Sequence, residues 1–349
     1  MNRHDALIIG AGPAGSAAAI FCAQQGLSVA LLEQSAMCRD RPGETLPPGI
    51  EPLLLQLGLA DLQSGGFIRH SGNWVHWGAT PRFSAFGGQP DAAWRGFQIP
   101  RRLLDELLLD RALALGVCVA RPCQATRIIC RGNAVVGVES DQGVFQGLHV
   151  IDASGAKGWL ARQLKLARPA FSGPLLATYG YGKGASAVCD EAPHIMADED
   201  GWCWLAKIGA GSYAWTRLNF TPARSNLKPP SQFTHLHQLS RARGADVTWR
   251  ACHQCAGPGY FIVGDAASVL DPGTSHGVLK AIMSGMMAAH AVVESLTHPH
   301  QHQAIQHQYR QWMNDWFMRD MRKMRELYAA HPAPPAWLTG LPSGADNSF

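Results

Sequence analysis

The chain has 349 residues, of which 46% are hydrophobic and 16% are charged, and its formal net charge is +4. This composition is typical of a well-packed globular protein and excludes an intrinsically disordered chain. The length exceeds that of one ordinary domain, so we expect two interleaved domains or one large domain. Because the mild positive charge comes without a dense Lys/Arg block, nucleic acid is not an expected partner.

Cysteine usage and hydropathy bear on the cellular compartment. Nine cysteines at irregular spacing do not form the pattern of a disulfide framework. Cys252 and Cys255 could bind a metal or act in redox chemistry, but a second ligand pair is missing, so we favour burial and predict no metal site. The chain enters a strand without signal-peptide features, and no apolar run approaches the ~20 residues of a membrane helix. These features predict a cytoplasmic protein with no membrane partner.

A strand–turn–helix unit opens the chain. An apolar run at residues 7–9 leads into a Gly-x-Gly-x-x-Gly turn, and an Ala-rich helix follows over residues 16–25. A second apolar run, residues 27–32, ends in an acidic residue. The glycines permit a tight turn and let backbone N–H groups approach a pyrophosphate, while the acidic side chain can accept hydrogen bonds from a ribose. The predicted dinucleotide contacts are Gly10, Gly12, Pro13, Ala14, Gly15, Glu33 and Gln34.

A loop rich in Pro and Gly, residues 41–49, comes next and precedes a predicted helix over residues 50–57. Arg41 and Glu44 lie in this loop between conformationally restricted residues. We therefore interpret the loop as a strap that covers the cofactor, with Arg41 as a contact. Glu44 could orient substrate or act as a base, and an ion pair with Arg41 is the favoured alternative.

The middle of the chain mixes helix and strand signals. A strong helix is predicted over residues 103–115, and strands follow at residues 117–119, 126–130, 134–139 and 149–151. Aromatic-rich segments at 71–97 and 175–220 predict a sheet. Trp202 and Trp204 share one face of it and could line a substrate cavity, although core packing is the commoner role of such side chains.

The last third of the chain begins with a loop and returns to a buried strand. Residues 221–246 are predicted to form a surface loop with a helix, and residues 260–263 a strand. Asp265 follows that strand and is suited to accept from a sugar-like hydroxyl. Residues 273–277 then present backbone N–H groups at the start of a long helix to about residue 296. A final helix is predicted over 304–330, with a disordered tail after 342.

These segments resemble those of FAD-dependent enzymes of the aromatic-hydroxylase fold, a superfamily that includes geranylgeranyl reductase-like and tryptophan halogenase-like flavoproteins. The resemblance implies a mixed α/β fold: a Rossmann-like, glutathione reductase-like FAD domain, an interleaved antiparallel substrate sheet and C-terminal helices. The implied FAD domain combines residues 1–70, 98–165 and 250–300, the sheet domain residues 71–97 and 166–249, and the C-terminal part residues 301–349. Further implied FAD contacts are Arg41, Arg101, Gly155, Arg162, Gly264, Asp265, Pro272, Thr274, Ser275, His276, Gly277 and Val278.

The halogenase branch of this superfamily needs a lysine near the substrate, in the region after the first βαβ unit. This chain has no lysine before Lys157. The Trp-x-Trp-x-Ile-Pro box of those enzymes is replaced at residues 202–207 by Trp-Cys-Trp-Leu-Ala-Lys, which keeps both tryptophans and loses Ile-Pro. Halogenation is therefore disfavoured.

Residues 41–48, 201–202 and 263–272 most resemble a small group of flavoproteins that accompany quinoprotein amine and amino-acid oxidases. In that group, the flavoenzyme is implied to oxygenate a tryptophan of the oxidase precursor while cysteine tryptophylquinone is formed. The resemblance implies an FAD-dependent monooxygenase that acts through a flavin C4a-(hydro)peroxide, with the precursor as a transient protein partner. O₂ and an electron donor, such as transiently bound NAD(P)H, complete the expected reaction.

Few residues are candidates for catalysis. His276 is expected near the flavin ring, where it could relay a proton or tune the electron-rich edge, and a hydrogen bond to a backbone carbonyl is the alternative. Glu44 is the second candidate. Two other functions stay open: a small-molecule FAD hydroxylase or geranylgeranyl-type reductase, and a flavin-containing maturation factor that holds its partner without turnover.

Overall fold

The structure of the protein is a computed structural model, which describes residues 3–59, 67–78, 80–89, 92–221 and 227–338. The α-helices are α1 (Pro13–Gln24), α2 (Glu51–Gln56), α3 (Arg101–Ala114), α4 (Trp159–Gln163), α5 (Gly264–Ala267), α6 (Gly277–Thr297) and α7 (His302–Ala329). The strands are β1 (Arg3–Ile9), β2 (Val29–Leu32), β3 (Thr45–Leu46), β4 (Ile68–His70), β5 (Gly72–His76), β6 (Arg82–Ala85), β7 (Gly88–Gln89), β8 (Ala92–Ala93), β9 (Gly96–Gln98), β10 (Cys118–Ala120), β11 (Ala125–Arg131), β12 (Ala134–Ser140), β13 (Gly143–Asp152), β14 (Leu176–Lys183), β15 (His194–Asp198), β16 (Gly201–Gly209), β17 (Ser212–Asn219), β18 (His237–Gln238), β19 (Arg243–Asp246), β20 (Arg250–Ala251), β21 (Ala256–Gly257), β22 (Tyr260–Ile262) and β23 (Ser268–Val269).

The first sheet places the carboxyl ends of several parallel strands at one edge. Its order is β10-β2-β1-β13-β12-β11, and β22 pairs in parallel with β13. Strands β10, β2, β1, β13 and β22 run parallel. The apolar residues of β2 and β22, and those at the carboxyl ends of β1 and β13, are buried, as expected for a sheet covered on both faces. Residues Gly10, Ala153 and Val263 each follow one of these strands, so three distant segments meet at this edge.

Helix α1 packs against α6 on one face of the first sheet, and small residues allow the close approach. A Cβ atom at Gly285 of α6 would lie 2.1 Å from the carbonyl oxygen of Ala14 in α1. Helix α6 corrects one prediction, because its 21 residues are long and apolar enough to cross a membrane. More than half of its apolar window is buried inside the fold, which is typical of the core helix of a globular domain.

The second sheet is mostly antiparallel and has the order β18-β14-β17-β16-β15-β5-β6, with β19 also pairing with β14. Only the β15–β5 pair in this order is parallel. One sheet face packs against α7 through a cluster that includes Trp202, Leu218 and Tyr328. The mixed α/β fold, with an antiparallel sheet and C-terminal helices, confirms the fold class predicted from the sequence. The predicted domain boundaries stay a prediction.

Two local predictions need correction or completion. The helix expected within 221–246 is absent from the described residues 227–246, which form a single 3-10 turn, Ser231–Phe233, and strands β18 and β19. Two consecutive prolines precede the turn and both strands add to β14, so sheet pairing replaces helix formation here. The tail predicted to be disordered after residue 342 lies outside the described residues.

Candidate functional site

The glycines of the first turn have two different structural roles. Gly10 has φ +99°, and a Cβ atom there would lie 2.5 Å from the Ala153 carbonyl oxygen. A Cβ atom at Gly15 would lie 1.8 Å from the Gly10 carbonyl oxygen. Gly12 instead has no heavy atom within 4 Å of its Cβ position. Packing within the protein thus requires Gly10 and Gly15, whereas Gly12 faces open space at the start of α1, as phosphate binding requires.

The Glu33 carboxylate is held against this turn. Its Oε2 accepts a hydrogen bond from the Ala11 N–H at 2.8 Å, and its Oε1 accepts one from the Ser35 N–H at 2.8 Å. Each carboxylate oxygen can accept a further bond, so the group keeps acceptor capacity for a ribose hydroxyl. Gln34, the next predicted contact, is exposed beside it.

The middle motif is held by Asp152 at the end of β13. Its two carboxylate oxygens accept from the N–H groups of Ser154 and Leu160, both at 2.9 Å. Gly155 follows with φ +76° and open space around its Cβ position. Arg162, a predicted contact, is exposed on α4.

The Gly-Asp motif lies beside the first turn. Gly264 has φ +55°, and a Cβ atom there would lie 3.1 Å from the Ala14 Cβ. The Asp265 side chain is exposed at the edge where β22 ends, in position to accept a hydrogen bond. Sequence reasoning did not identify Arg168, which donates to the carbonyl oxygens of Ala156 at 3.1 Å and Asp265 at 3.3 Å. Arg168 thereby ties the middle motif to the Gly-Asp motif.

The turn before α6 brings the remaining predicted contacts together. It comprises the 3-10 turn Pro272–Thr274 and Ser275, followed by His276 and Gly277 at the start of α6. Gly277 has no heavy atom within 4 Å of its Cβ position, so the helix start faces open space. Burial lowers the pKa of His276, which favours the neutral imidazole. The side chain of Thr274 lies outside the described part of the structure.

The strap lies directly on two predicted cofactor residues from other elements. Arg101 Nη1 donates to the Pro42 carbonyl oxygen at 2.9 Å. A Cβ atom at Gly43 would lie 2.7 Å from Arg101 Nη1 and 2.9 Å from Val278 Cγ2. Arg101 also pairs with buried Asp105 at 3.1 Å. The strap, the start of α3 and the start of α6 therefore lie in contact, and their role as cofactor contacts stays a prediction.

Glu44 is a buried carboxyl group between the strap and the second sheet. Its Oε1 accepts a hydrogen bond from Tyr181 Oη at 2.6 Å. Only 6% of the residue's surface is exposed to solvent. Burial raises the pKa of Glu44 to about 7, against the opposing effects of the Tyr181 bond and the Arg101 charge. The favoured Arg41–Glu44 pair is wrong: Arg41 is exposed, and no ion pair of the described residues joins the two. Rigid prolines and β3 pairing turn Glu44 inward instead.

Trp202 and Trp204 share one face of β16, as predicted, but their surroundings differ. The Trp202 ring has no exposed surface, and its Nε1 donates to Tyr328 Oη at 3.0 Å. This burial gives Trp202 a packing role and leaves it no surface for a substrate. Trp204 is partly exposed, and its Nε1 donates to Thr45 Oγ1 in the strap at 3.1 Å. Only Trp204 is therefore placed beside the strap as a substrate-lining residue would be.

Sequence reasoning also missed Tyr181 and Lys280. Tyr181 stands 137 positions from Glu44, and no sequence period connects the two. Lys280 is a buried lysine in α6 whose Nζ donates to the Ser268 carbonyl oxygen at 2.7 Å. The sequence signal that could have indicated its burial is its position among small apolar residues near the start of α6. Cys252 and Cys255 are both buried, as the favoured interpretation held.

The residues present fit an FAD cofactor. Three glycines, Gly12, Gly155 and Gly277, have open space around their Cβ positions, and the first two follow the parallel strands β1 and β13. Acceptor side chains, Glu33 and Asp265, lie at the ends of two different strands of that edge, β2 and β22. Such a crevice outside the carboxyl ends of parallel strands is where dinucleotides bind in open α/β sheets.

Comparison with known proteins supports the same conclusion. A family described as "FAD binding domain" matches residues 5–39, and one described as "Tryptophan halogenase" matches residues 91–332. A tryptophan 2-halogenase of Chondromyces crocatus is 26% identical over 330 residues, which cover 82% of this chain and 60% of that protein. A flavin-dependent halogenase of Armillaria mellea is 29% identical, with coverage of 84% and 68%. The chain thus spans 60% of the length of the first relative and 68% of the length of the second.

A solved structure agrees with the fold. The structure of the myxobacterial chondrochloren halogenase superposes with a TM-score of 0.87 at 22% identity, covering 97% of this chain and 86% of that one. These matches confirm the predictions of an FAD cofactor, an FAD-dependent oxidoreductase-type enzyme and the mixed α/β fold.

Proposed function

The chain belongs to the tryptophan halogenase family, and on that premise we propose that it is a monooxygenase acting on a tryptophan of a partner polypeptide. The proposed substrate is the precursor of a quinoprotein amine or amino-acid oxidase, during the formation of its cysteine tryptophylquinone. One atom of O₂ enters the indole ring and the other leaves as water. Two electrons come from a reductant such as NAD(P)H. FAD, when bound, supplies the activation of O₂.

The positions of the lysines support oxygenation over halogenation. The region after the first βαβ unit, where halogenases carry their substrate-side lysine, contains none. Lys207 occupies the last position of the altered tryptophan box, and its Nζ bonds Asp190 at 2.7 Å. Three positions separate it from Trp204 on β16, so the two side chains project from opposite faces. Lys280 is engaged with a backbone carbonyl oxygen.

The observation that carries the proposal is the buried carboxyl group of Glu44 in the strap. A group whose pKa lies near 7 can accept and release a proton at neutral pH, which is the property that general acid–base catalysis requires. Tyr181 Oη orients it through one oxygen. The strap that carries Glu44 also accepts a hydrogen bond from the partly exposed Trp204 indole through Thr45. We assign Glu44 the proton that leaves the indole ring carbon when oxygen is inserted.

The test is mass spectrometry of an oxidase precursor co-expressed with the wild-type protein, with Glu44→Gln, or with neither. We expect the wild type to add oxygen to one tryptophan of the precursor. Because a positioned acid–base group contributes about 10²–10⁴-fold, Glu44→Gln should slow this modification by roughly 100-fold or more. Glu106→Gln, at a half-buried glutamate of α3, is the matched control and should leave the yield unchanged.

The outcomes separate the alternatives. An unmodified precursor beside a folded, FAD-containing wild type would overturn the polypeptide substrate and direct the search to small aromatic or isoprenoid substrates. Precursor maturation that proceeds equally with a variant lacking FAD would instead indicate a binding and maturation factor.

A further inference from the structure

The turn that precedes α6 has a backbone conformation that needs support. Ser275 has φ +56°, a left-handed value that residues other than glycine seldom adopt. The turn runs from Pro272 to Gly277, both predicted cofactor contacts, and its shape decides where the start of α6 faces. A strained turn at a binding site persists only where its surroundings hold it.

One buried carboxylate holds this turn from behind. Asp271 is 2% exposed, and its Oδ1 accepts from the Gly273 N–H at 3.0 Å. Tyr328 Oη donates to the same oxygen at 2.7 Å, and Trp249 Nε1 donates to Oδ2 at 2.6 Å. Donors from three separate segments therefore converge on Asp271. Burial raises the pKa of Asp271 to about 6, and the bonds from Tyr328, Trp249 and Gly273 oppose that rise, as bonds to a carboxylate do.

Helix α7 contacts the turn directly. A Cβ atom at Gly273 would lie 3.2 Å from Met324 Cε and 3.5 Å from Tyr328 Oη. Tyr328 Oη also accepts from Trp202 Nε1 of the second sheet at 3.0 Å. The hydroxyl of Tyr328 thus joins the C-terminal helix, the second sheet and the turn at one point.

We propose that Tyr328 is a positioning residue for the cofactor, which holds the 272–277 turn through Asp271 in the conformation that receives FAD. This assigns to the C-terminal helix a function in cofactor binding, in addition to covering the core. The proposal concerns the FAD site alone, so it does not depend on which substrate the enzyme modifies.

The competing explanation is that Tyr328 only stabilises the fold. Tyr309 provides a matched control, because it lies on the same helix, is 3% exposed and donates its hydroxyl to the Ile262 carbonyl oxygen at 2.9 Å. Tyr328→Phe and Tyr309→Phe each delete one buried hydroxyl from α7. Only the first of these hydroxyls bonds the carboxylate that holds the turn.

The experiment measures FAD affinity of the full-length variants by ultrafiltration of the holoenzymes, together with their stability in urea. Loss of a hydrogen bond to a charged group predicts that Tyr328→Phe weakens FAD binding roughly tenfold. Tyr309→Phe should change FAD affinity by less than about twofold while it loses comparable stability. The proposal would be overturned if both variants bound FAD as tightly as the wild type does, or if both lost FAD affinity to the same extent.

A second variant keeps the test decisive if Tyr328→Phe does not fold. Trp249→Phe removes the donor to the other carboxylate oxygen of Asp271, and it too should weaken FAD binding roughly tenfold. A folded Trp249→Phe protein with wild-type FAD affinity would overturn the assignment. A wild type that binds FAD but modifies no polypeptide would contradict the proposed function and leave this inference standing.

Discussion

Glu44 is expected to make a pH-dependent contribution to the stability of this protein, and one substitution should remove that contribution. Burial raises the pKa of Glu44 from 4.5 to about 7, which corresponds to roughly 3 kcal/mol. The folded state binds this proton more tightly than the unfolded chain does. The stabilising contribution is therefore fully present below pH 4.5 and is lost as the pH rises through about 7. Between about pH 5 and pH 8, the wild type should lose roughly 2–3 kcal/mol relative to Glu44→Gln.

Urea unfolding at the two pH values, with saturating FAD, measures this double difference. The glutamine stays neutral and can still accept the Tyr181 hydroxyl, so pH effects of other groups cancel between the two proteins. Glu106→Gln serves as the control and should follow the wild type. If wild type and Glu44→Gln lose the same stability between the two pH values, Glu44 does not retain its proton in the folded state, and its assignment as an acid–base group is refuted.

Three further outcomes are expected. Gly12→Ala should change the free energy of unfolding by less than about 1 kcal/mol and yet lose FAD. Gly15→Ala places a Cβ atom 1.8 Å from a carbonyl oxygen and should lower the free energy of unfolding by about 3 kcal/mol or more. Calorimetry and flavin content distinguish the two variants, and FAD retention by Gly12→Ala would contradict the phosphate role. Trp204→Phe, which removes the indole N–H bonded to the strap, should lower precursor modification more than stability, as mass spectrometry and urea unfolding would show; an equal loss in both would identify a packing residue. Arg101→Met leaves the buried Asp105 carboxylate without its ion-pair partner and should lower the free energy of unfolding in urea by about 3–5 kcal/mol. A decrease of less than about 1 kcal/mol would show that the ion pair is replaceable.

Local chemistry made much of the FAD site predictable. The first glycine turn, the strand that ends in Asp152 and the Gly-Asp motif each carry a short-range pattern with a physical reason, and the structure forms each at the end of a parallel strand. Predictions failed where local pattern and tertiary pairing compete. Residues 237–246 add to the edge strand β14 in place of the predicted helix.

The sequence by itself determined the cofactor class, the mixed α/β fold and the position of the strap, because turns, helix starts and strand periodicity depend on neighbouring residues. Only the tertiary structure decided that Glu44 bonds Tyr181 and not Arg41, and that Tyr328 reaches Asp271 behind the 272–277 turn. These partners are 137 and 57 positions apart. The packing of sheet faces and helices brings them together, and no sequence period records which distant side chains will share one buried space.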